Sequence, residues 1–139
     1  KSLDVIARCH PDIVGHNIET VPSLYPAARA SADYRRSLEV LRYLKSAGRA
    51  VKSALMVGLG ESKKEVFSVM EDLRGAGCDF FVVGQYLQPT PDHLPVKEFI
   101  LPEVFEEYRA YGEQIGFAKV FAGTFFRSSY LAEEALTPR

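Results

Sequence analysis

The run Asp79-Phe-Phe-Val-Val-Gly-Gln-Tyr86 constrains this chain most. It is apolar without alternation, so a strand built from it needs cover on both faces, as strands of parallel sheets have. Its neighbours repeat the theme: Asp12 to Ile18 reads as a short buried strand, and Val51 to Val57 as the next. Between these runs the period turns helical. Within Asp33 to Ala47, Tyr34, Leu38, Leu41 and Leu44 fall on one helix face, with Ser31 or Asp33 placed to cap the start and Gly48 to end it. Ser62-Lys-Lys-Glu65 has capping-box form and opens a second helix; Val66, Val69, Met70 and Leu73 are its buried stripe, and Gly75 and Gly77 close it. Pro102 suits the first turn of a third, which runs to about Ile115 and stops at Gly116. Phe117 to Ala122 is a last strand candidate. Ser2 to Arg8 reads as a helix, the stretch with Pro22 and Pro26 as a loop, and the tail from Ser129 as a final short helix. Strand and helix alternating over short connections predict βα units around a parallel sheet.

In such sheets ligands gather at the carboxyl ends of the strands. The polar clusters sit there: His16-Asn17-Ile-Glu19, then Gly58-Leu-Gly-Glu61, then Gln85-Tyr-Leu-Gln88. Asn17 and Glu19 share a side if the chain stays extended. A carboxylate beside an amide suits a ribose diol or an amino group. The Gly58 loop is neither a dinucleotide nor a Walker loop, because Lys63 stands at the third glycine position and no GK[ST] follows. Its glycines let backbone approach a flat or uncharged part of a ligand, with Glu61 anchoring the turn. Taken singly, each cluster is also what an ordinary loop carries, and Arg127-Ser-Ser-Tyr130 alone is a helix cap. His10 and His93 receive no role. A net charge of −1 leaves no electrostatic footprint for nucleic acid or an anionic membrane. No apolar run is long enough to span a bilayer. Cys9 and Cys78 stand far apart, in neither a CxxC nor a CxxxCxxC pattern.

Five stretches, HNIETVPSLYP, ADYRRSLEVL, KSALMVGLGE, GQYLQPTPDHLPV and RSSYLA, come in this order. Together they closely resemble the C-terminal half of lipoyl synthases, members of the radical S-adenosylmethionine superfamily. The resemblance covers nearly the whole chain. It implies an α/β fold, the C-terminal half of a six-stranded partial (βα) barrel, with about three βα units plus a C-terminal extension in one incomplete domain over residues 1–139. It implies two 4Fe–4S clusters. One binds S-adenosylmethionine and yields a 5′-deoxyadenosyl radical, which abstracts hydrogens from carbons 6 and 8 of a protein-bound octanoyl chain. The other is consumed as the sulfur donor. The partners it implies are octanoylated lipoyl carrier domains (2-oxoacid dehydrogenase subunits or the glycine cleavage H protein) and an electron donor such as flavodoxin or ferredoxin.

Residue by residue, the resemblance makes Ser129 an oxygen ligand to iron of the second cluster, with Ser128 the alternative and Arg127 in support. It brings Gly58 and Glu61 near the adenine, and Asn17 and Glu19 near the ribose or amino-acid portion. Arg35 and Ser37 become candidates for the cofactor's carboxylate, and Gln85 and Gln88 for the lining of the central cavity. The chain departs from the family in lacking both cysteine triads, and it begins at Lys1 inside a helical pattern. It therefore reads as a fragment, expected alone to hold no cluster, to turn nothing over, and to expose an apolar sheet edge. A half-barrel that binds a nucleoside-like ligand or a protein partner without catalysis is the alternative, and an unrelated α/β-barrel fragment with a metabolite at its rim is a third. A bacterial cytoplasm is the expected location, with an organelle left open.

Overall fold

Four strands form one parallel sheet in the computed structural model, which describes residues 13–28 and 33–126. They are β1 (Ile13–Gly15), β2 (Ala50–Val57), β3 (Phe80–Gln85) and β4 (Lys119–Gly123), in that spatial order. The register sets Val14 beside Val51, Ala54 beside Val82, and Val82 beside Phe121. Parallel neighbours need a crossover. Helices α1 (Tyr34–Ser46), α2 (Lys63–Gly75) and α3 (Pro102–Gln114) supply it. The helices lie within two residues of the ranges their periodicity predicts. All three close alike: one residue past the C-terminal turn, then a glycine at positive φ (Gly48, Gly77, Gly116), the conformation a side chain disfavours and a helix stop requires.

Strand parity divides the sheet into two faces. Val14, Val51, Leu55, Val57, Phe81, Val83 and Val120 point toward the helices and meet Leu38, Leu41, Leu44, Val66, Val69, Met70, Leu73, Phe105 and Tyr108 in the main core. Each large side chain buried there contributes about 1.5–3 kcal/mol over leaving it in water. The opposite face carries a smaller cluster in which Phe80, Phe121 and Phe126 lie against Ala54 and Val82. β3 is thus buried on both faces, as its unbroken apolar run requires. Among the described residues β1 pairs with β2 alone, so its other edge carries no strand.

Asp33, not Ser31, caps α1: its carboxylate accepts from Arg35 N at 2.9 Å and Arg36 N at 3.4 Å, while Ser31 lies outside the described residues. The stretch with Pro22 and Pro26 differs from the loop expected of it. Pro22–Leu24 is a 3-10 turn that runs into a one-turn helix, Tyr25–Ala28. Proline in a first turn loses no hydrogen bond, because the N–H it lacks has no partner there. The helices expected at Ser2–Arg8 and from Ser129 lie outside the described residues.

Both limbs of the α2 capping box form: Ser62 Oγ accepts from Glu65 N at 3.2 Å, and Glu65 accepts from Ser62 N at 2.9 Å. Ser23 also donates to the Glu65 carboxylate. Ser62→Ala is expected to lower stability by about 1 kcal/mol, and Ser62→Asp to restore most of it. Urea denaturation measures both; equal stability in wild type and Ser62→Ala would show that the cap contributes nothing.

Candidate functional site

The chain after β1 keeps running along β2 and is held at every step. His16 N donates to Lys52 O at 3.1 Å, Ile18 N to Ser53 Oγ at 3.1 Å, Glu19 N to Ala54 O at 3.0 Å, and Met56 N to Glu19 O at 2.9 Å. Ile18 and Val21 are wholly buried and anchor the segment in the core, and the Tyr25 hydroxyl donates to Ile18 O. Glu19 takes φ 77, and among the described residues it alone lies in the left-handed region without being glycine. That conformation costs about 1–2 kcal/mol. It is held by the two backbone bonds to β2, and such strain concentrates at functional positions.

Asn17 and Glu19 open onto one pocket of about 90 Å³, with Ala54, Leu55, Met56, Val82, Gly84 and Phe126 as its other walls. They share a side as the sequence predicts, although the chain is not extended at Glu19. The pocket has a carboxylate and an amide on one wall and an apolar floor made from the non-helix face of β2 and β3. This fits a ligand with a hydroxylated edge and a flat apolar body. Next in sequence, the Thr20 hydroxyl is buried with no hydrogen-bond partner, a polar atom at the same strand end still able to bond. Lys52 lies further down the same face of β2, its stem across Gly15, and burial pushes its ammonium below the usual lysine range.

The second cluster is a rigid turn. Gly58 and Gly60 both take positive φ. The Glu61 carboxylate accepts from Gly58 N at 3.2 and 2.9 Å and from Leu59 N at 3.0 Å, so it anchors its own loop as expected. The α2 N-terminus behind it is occupied by the capping box, which leaves no phosphate cradle there.

The remaining candidates stand apart from the pocket. Gln85 is 2% exposed and faces the helix side, because Gly84 takes the pocket side. Its Nε2 donates to Tyr86 O and Glu98 O, each at 3.0 Å, and its Oε1 accepts from Ile100 N at 2.8 Å. Gln88 is exposed and donates to His93 O at 2.9 Å within its own loop. Arg35 is exposed on the first turn of α1. Ser37 is buried behind β1, where its hydroxyl and His16 Nε2 are 3.1 Å apart. Arg127, Ser128 and Ser129 lie outside the described residues. Ala54, Met56, Val82, Gly84 and Phe126 were not singled out by sequence reasoning. The parity of KSALMVG and FFVVGQ would have marked the first four, but nothing local marks Phe126.

Among the described residues no group of three or more His, Cys, Asp or Glu side chains is arranged to hold a metal ion. Cys78 is buried with its thiol against the Val51 and Phe80 carbonyls, and burial pushes it up to about 12. A thiol so held is an inert core residue rather than a ligand.

No protein-family model matches the chain. Solved structures match its fold. Streptococcus suis SuiB superposes with a TM-score of 0.74 at 15% identity, over 97% of this chain and 32% of that one. SuiB bound to S-adenosylmethionine gives 0.72 at 14%, over 99% and 33%. Such identities speak for the fold alone, an α/β fold with a four-stranded parallel sheet and a helix on each connection. Sequence relatives narrow this. The chain is 52% identical over 136 residues to the lipoyl synthase of Caldicellulosiruptor saccharolyticus and 52% over 137 residues to that of Chlorobium limicola. It is 50% identical over 135 residues to the mitochondrial lipoyl synthase of Nematostella vectensis. Over nearly all of its length, therefore, the chain is a homologue of the lipoyl synthases. It spans about half the length of these relatives, 48%, 47% and 46% of each. Among the described residues no helix is long and apolar enough to cross a membrane.

Proposed function

We propose that this chain is the C-terminal half of a lipoyl synthase, one incomplete domain over residues 1–139, and that its pocket holds the adenosyl part of S-adenosylmethionine. One observation carries the reading. The pocket that joins Asn17 and Glu19 to an apolar floor is walled by Phe126, the residue immediately before Arg127-Ser-Ser-Tyr130.

The residues fit the cofactor's chemistry. Glu19 and Asn17 supply an acceptor and a mixed donor–acceptor for a ribose diol or an amino group. The turn from Gly58 to Glu61 presents backbone beside the adenine, and Glu61 acts by holding the Gly58 and Leu59 amides. Gln85 and Gln88 hold the loop behind that turn. Arg35 and Ser37 are proposed to act on the cofactor's carboxylate end, Ser37 by steadying His16. When bound, S-adenosylmethionine supplies the radical that opens the octanoyl C–H bonds, and the sulfur comes from an iron–sulfur cluster. The clusters have no ligand set among the described residues. In this reading Ser129 or Ser128 adds one oxygen ligand to a set of cysteines contributed by the other half. The carrier is an octanoylated lipoyl domain, the electron donor a flavodoxin or ferredoxin, and the location a bacterial cytoplasm.

Equilibrium binding of S-adenosylmethionine to the full-length protein tests the pocket. Glu19→Ala and Asn17→Ala are each expected to weaken it about tenfold or more, the loss of a hydrogen bond to a polar ligand, about 1.4 kcal/mol. Binding unchanged in both variants would remove the cofactor from this pocket. It would favour instead a half-barrel with a different ligand.

A further inference from the structure

Resting on the reading above, we propose that Gln85 is a positioning residue for S-adenosylmethionine, acting through the strap that follows it rather than by contact. The strap is residues 86–101, which join β3 to α3 without regular secondary structure. Connections of that length within a small domain are uncommon, and their order has to come from specific ties.

Among the hydrogen bonds that hold this one, three sets bear on the Gly58 turn. The Tyr86 hydroxyl donates to Leu94 O at 2.7 Å. Lys97 N and Glu98 N both donate to Gly58 O, at 2.8 and 3.2 Å. Gln85 clamps the same place from below, donating to Glu98 O and accepting from Ile100 N. Every polar group of the Gly58 peptide is thereby committed, its N–H to Glu61 and its carbonyl to the strap. A Cβ at Gly58 would stand 2.3 Å from Gln85 Nε2 and 2.4 Å from Glu98 O, so side chain, strap and loop meet with no space between them.

The consequence is preorganisation. The orientation of the Gly58 peptide sets where Leu59 and Gly60 lie, and that turn is the surface offered to the adenine. Freeing the strap lets the turn sample other orientations before the ligand binds, and affinity falls by the cost of re-ordering it. The pocket of Asn17, Glu19 and Phe126 lies on the opposite face of the sheet from the Gln85 amide. Groups at the reacting end stay where they are.

The test uses full-length enzyme carrying Gln85→Met, which keeps volume and removes every hydrogen bond of the amide. The expected result is a KM for S-adenosylmethionine raised about tenfold with kcat for 5′-deoxyadenosine release within about twofold. Backbone amides of Lys97, Glu98 and Ile100 should exchange hydrogen faster by a similar factor, read without cofactor present. Tyr86→Phe, which loses only the tie to Leu94, should shift KM in the same direction by a smaller factor, and serves if Gln85→Met does not fold. An unchanged KM, or a fall in kcat at constant KM, overturns the inference; so does unaltered exchange at the strap. Absence of S-adenosylmethionine binding by the wild type overturns the functional reading instead, and leaves the exchange result to judge the clamp by itself.

Discussion

Gly58→Ala is expected to lower stability by about 3 kcal/mol and to abolish tight S-adenosylmethionine binding, whereas Gly60→Ala should cost about 1–2 kcal/mol. The two glycines look equivalent in the motif, and both take positive φ, 99° and 111°. A methyl group at either pays the dihedral cost. Only at Gly58 does it also collide, 2.3 Å from a buried amide nitrogen and 2.4 Å from a backbone oxygen. Neither neighbour is the free end of a flexible chain: Gln85 is pinned by three hydrogen bonds and Glu98 O belongs to the strap. At Gly60 the nearest atom is a lysine methylene at 3.8 Å, ordinary contact. Denaturation of the two variants side by side measures the difference. Equal losses would mean that conformation alone, not close approach, requires Gly58.

Ser129→Ala carries the second large effect. In the full-length enzyme, 5′-deoxyadenosine formation should stay within about twofold, and lipoyl product should fall by about 10–100-fold or more, since losing even an outer-shell partner of a metal ligand has that scale. The reason is a division of labour along the last described segment. Phe126 walls the pocket of Asn17 and Glu19, and the proposed division gives the cofactor to that pocket and the second cluster to the serines that follow in sequence. An alkoxide oxygen is a harder donor than the thiolates usual for iron–sulfur clusters, and a site that mixes them holds one iron less firmly. Such a site suits a cluster that gives up sulfur. Ser128→Ala is the matched control. Product assayed with both separates the serines, and normal product from Ser129→Ala would return the motif to a helix cap.

Much of this molecule was legible without coordinates. The α2 capping box, the buried stripe of Val66, Val69, Met70 and Leu73, and the glycine stops depend on residues within one or two helical turns of each other. Their physics is local, so their pattern is local too. The same holds for Glu61, which anchors a turn two and three residues away. Asn17 and Glu19 were placed on one side by simple alternation, and they share the pocket even though Glu19 leaves the extended conformation.

What escaped was decided at a distance. Gln85 reads as a strand-end polar residue ready to line the cavity. Strand pairing instead put Gly84 toward the pocket and turned the amide to the other face, where it found Glu98 and Ile100 across thirteen and fifteen residues. Ser37 was read as a cofactor contact, and its hydroxyl meets His16 behind β1. Phe126 has no local signature at all. It becomes a pocket wall because β4 pairs beside β3 and the following turn lays its ring over Gly123, onto Ala54 and Val82.

The sequence by itself thus determined which segments are strands and helices, where each stops, and that polar groups would collect at the strand ends, because these follow from period and from near neighbours. Only the tertiary structure decided which of those groups face a common cavity. Side-chain direction flips with every residue of a strand, so pairing between segments tens of residues apart assigns each polar group to the pocket or to the frame that holds it.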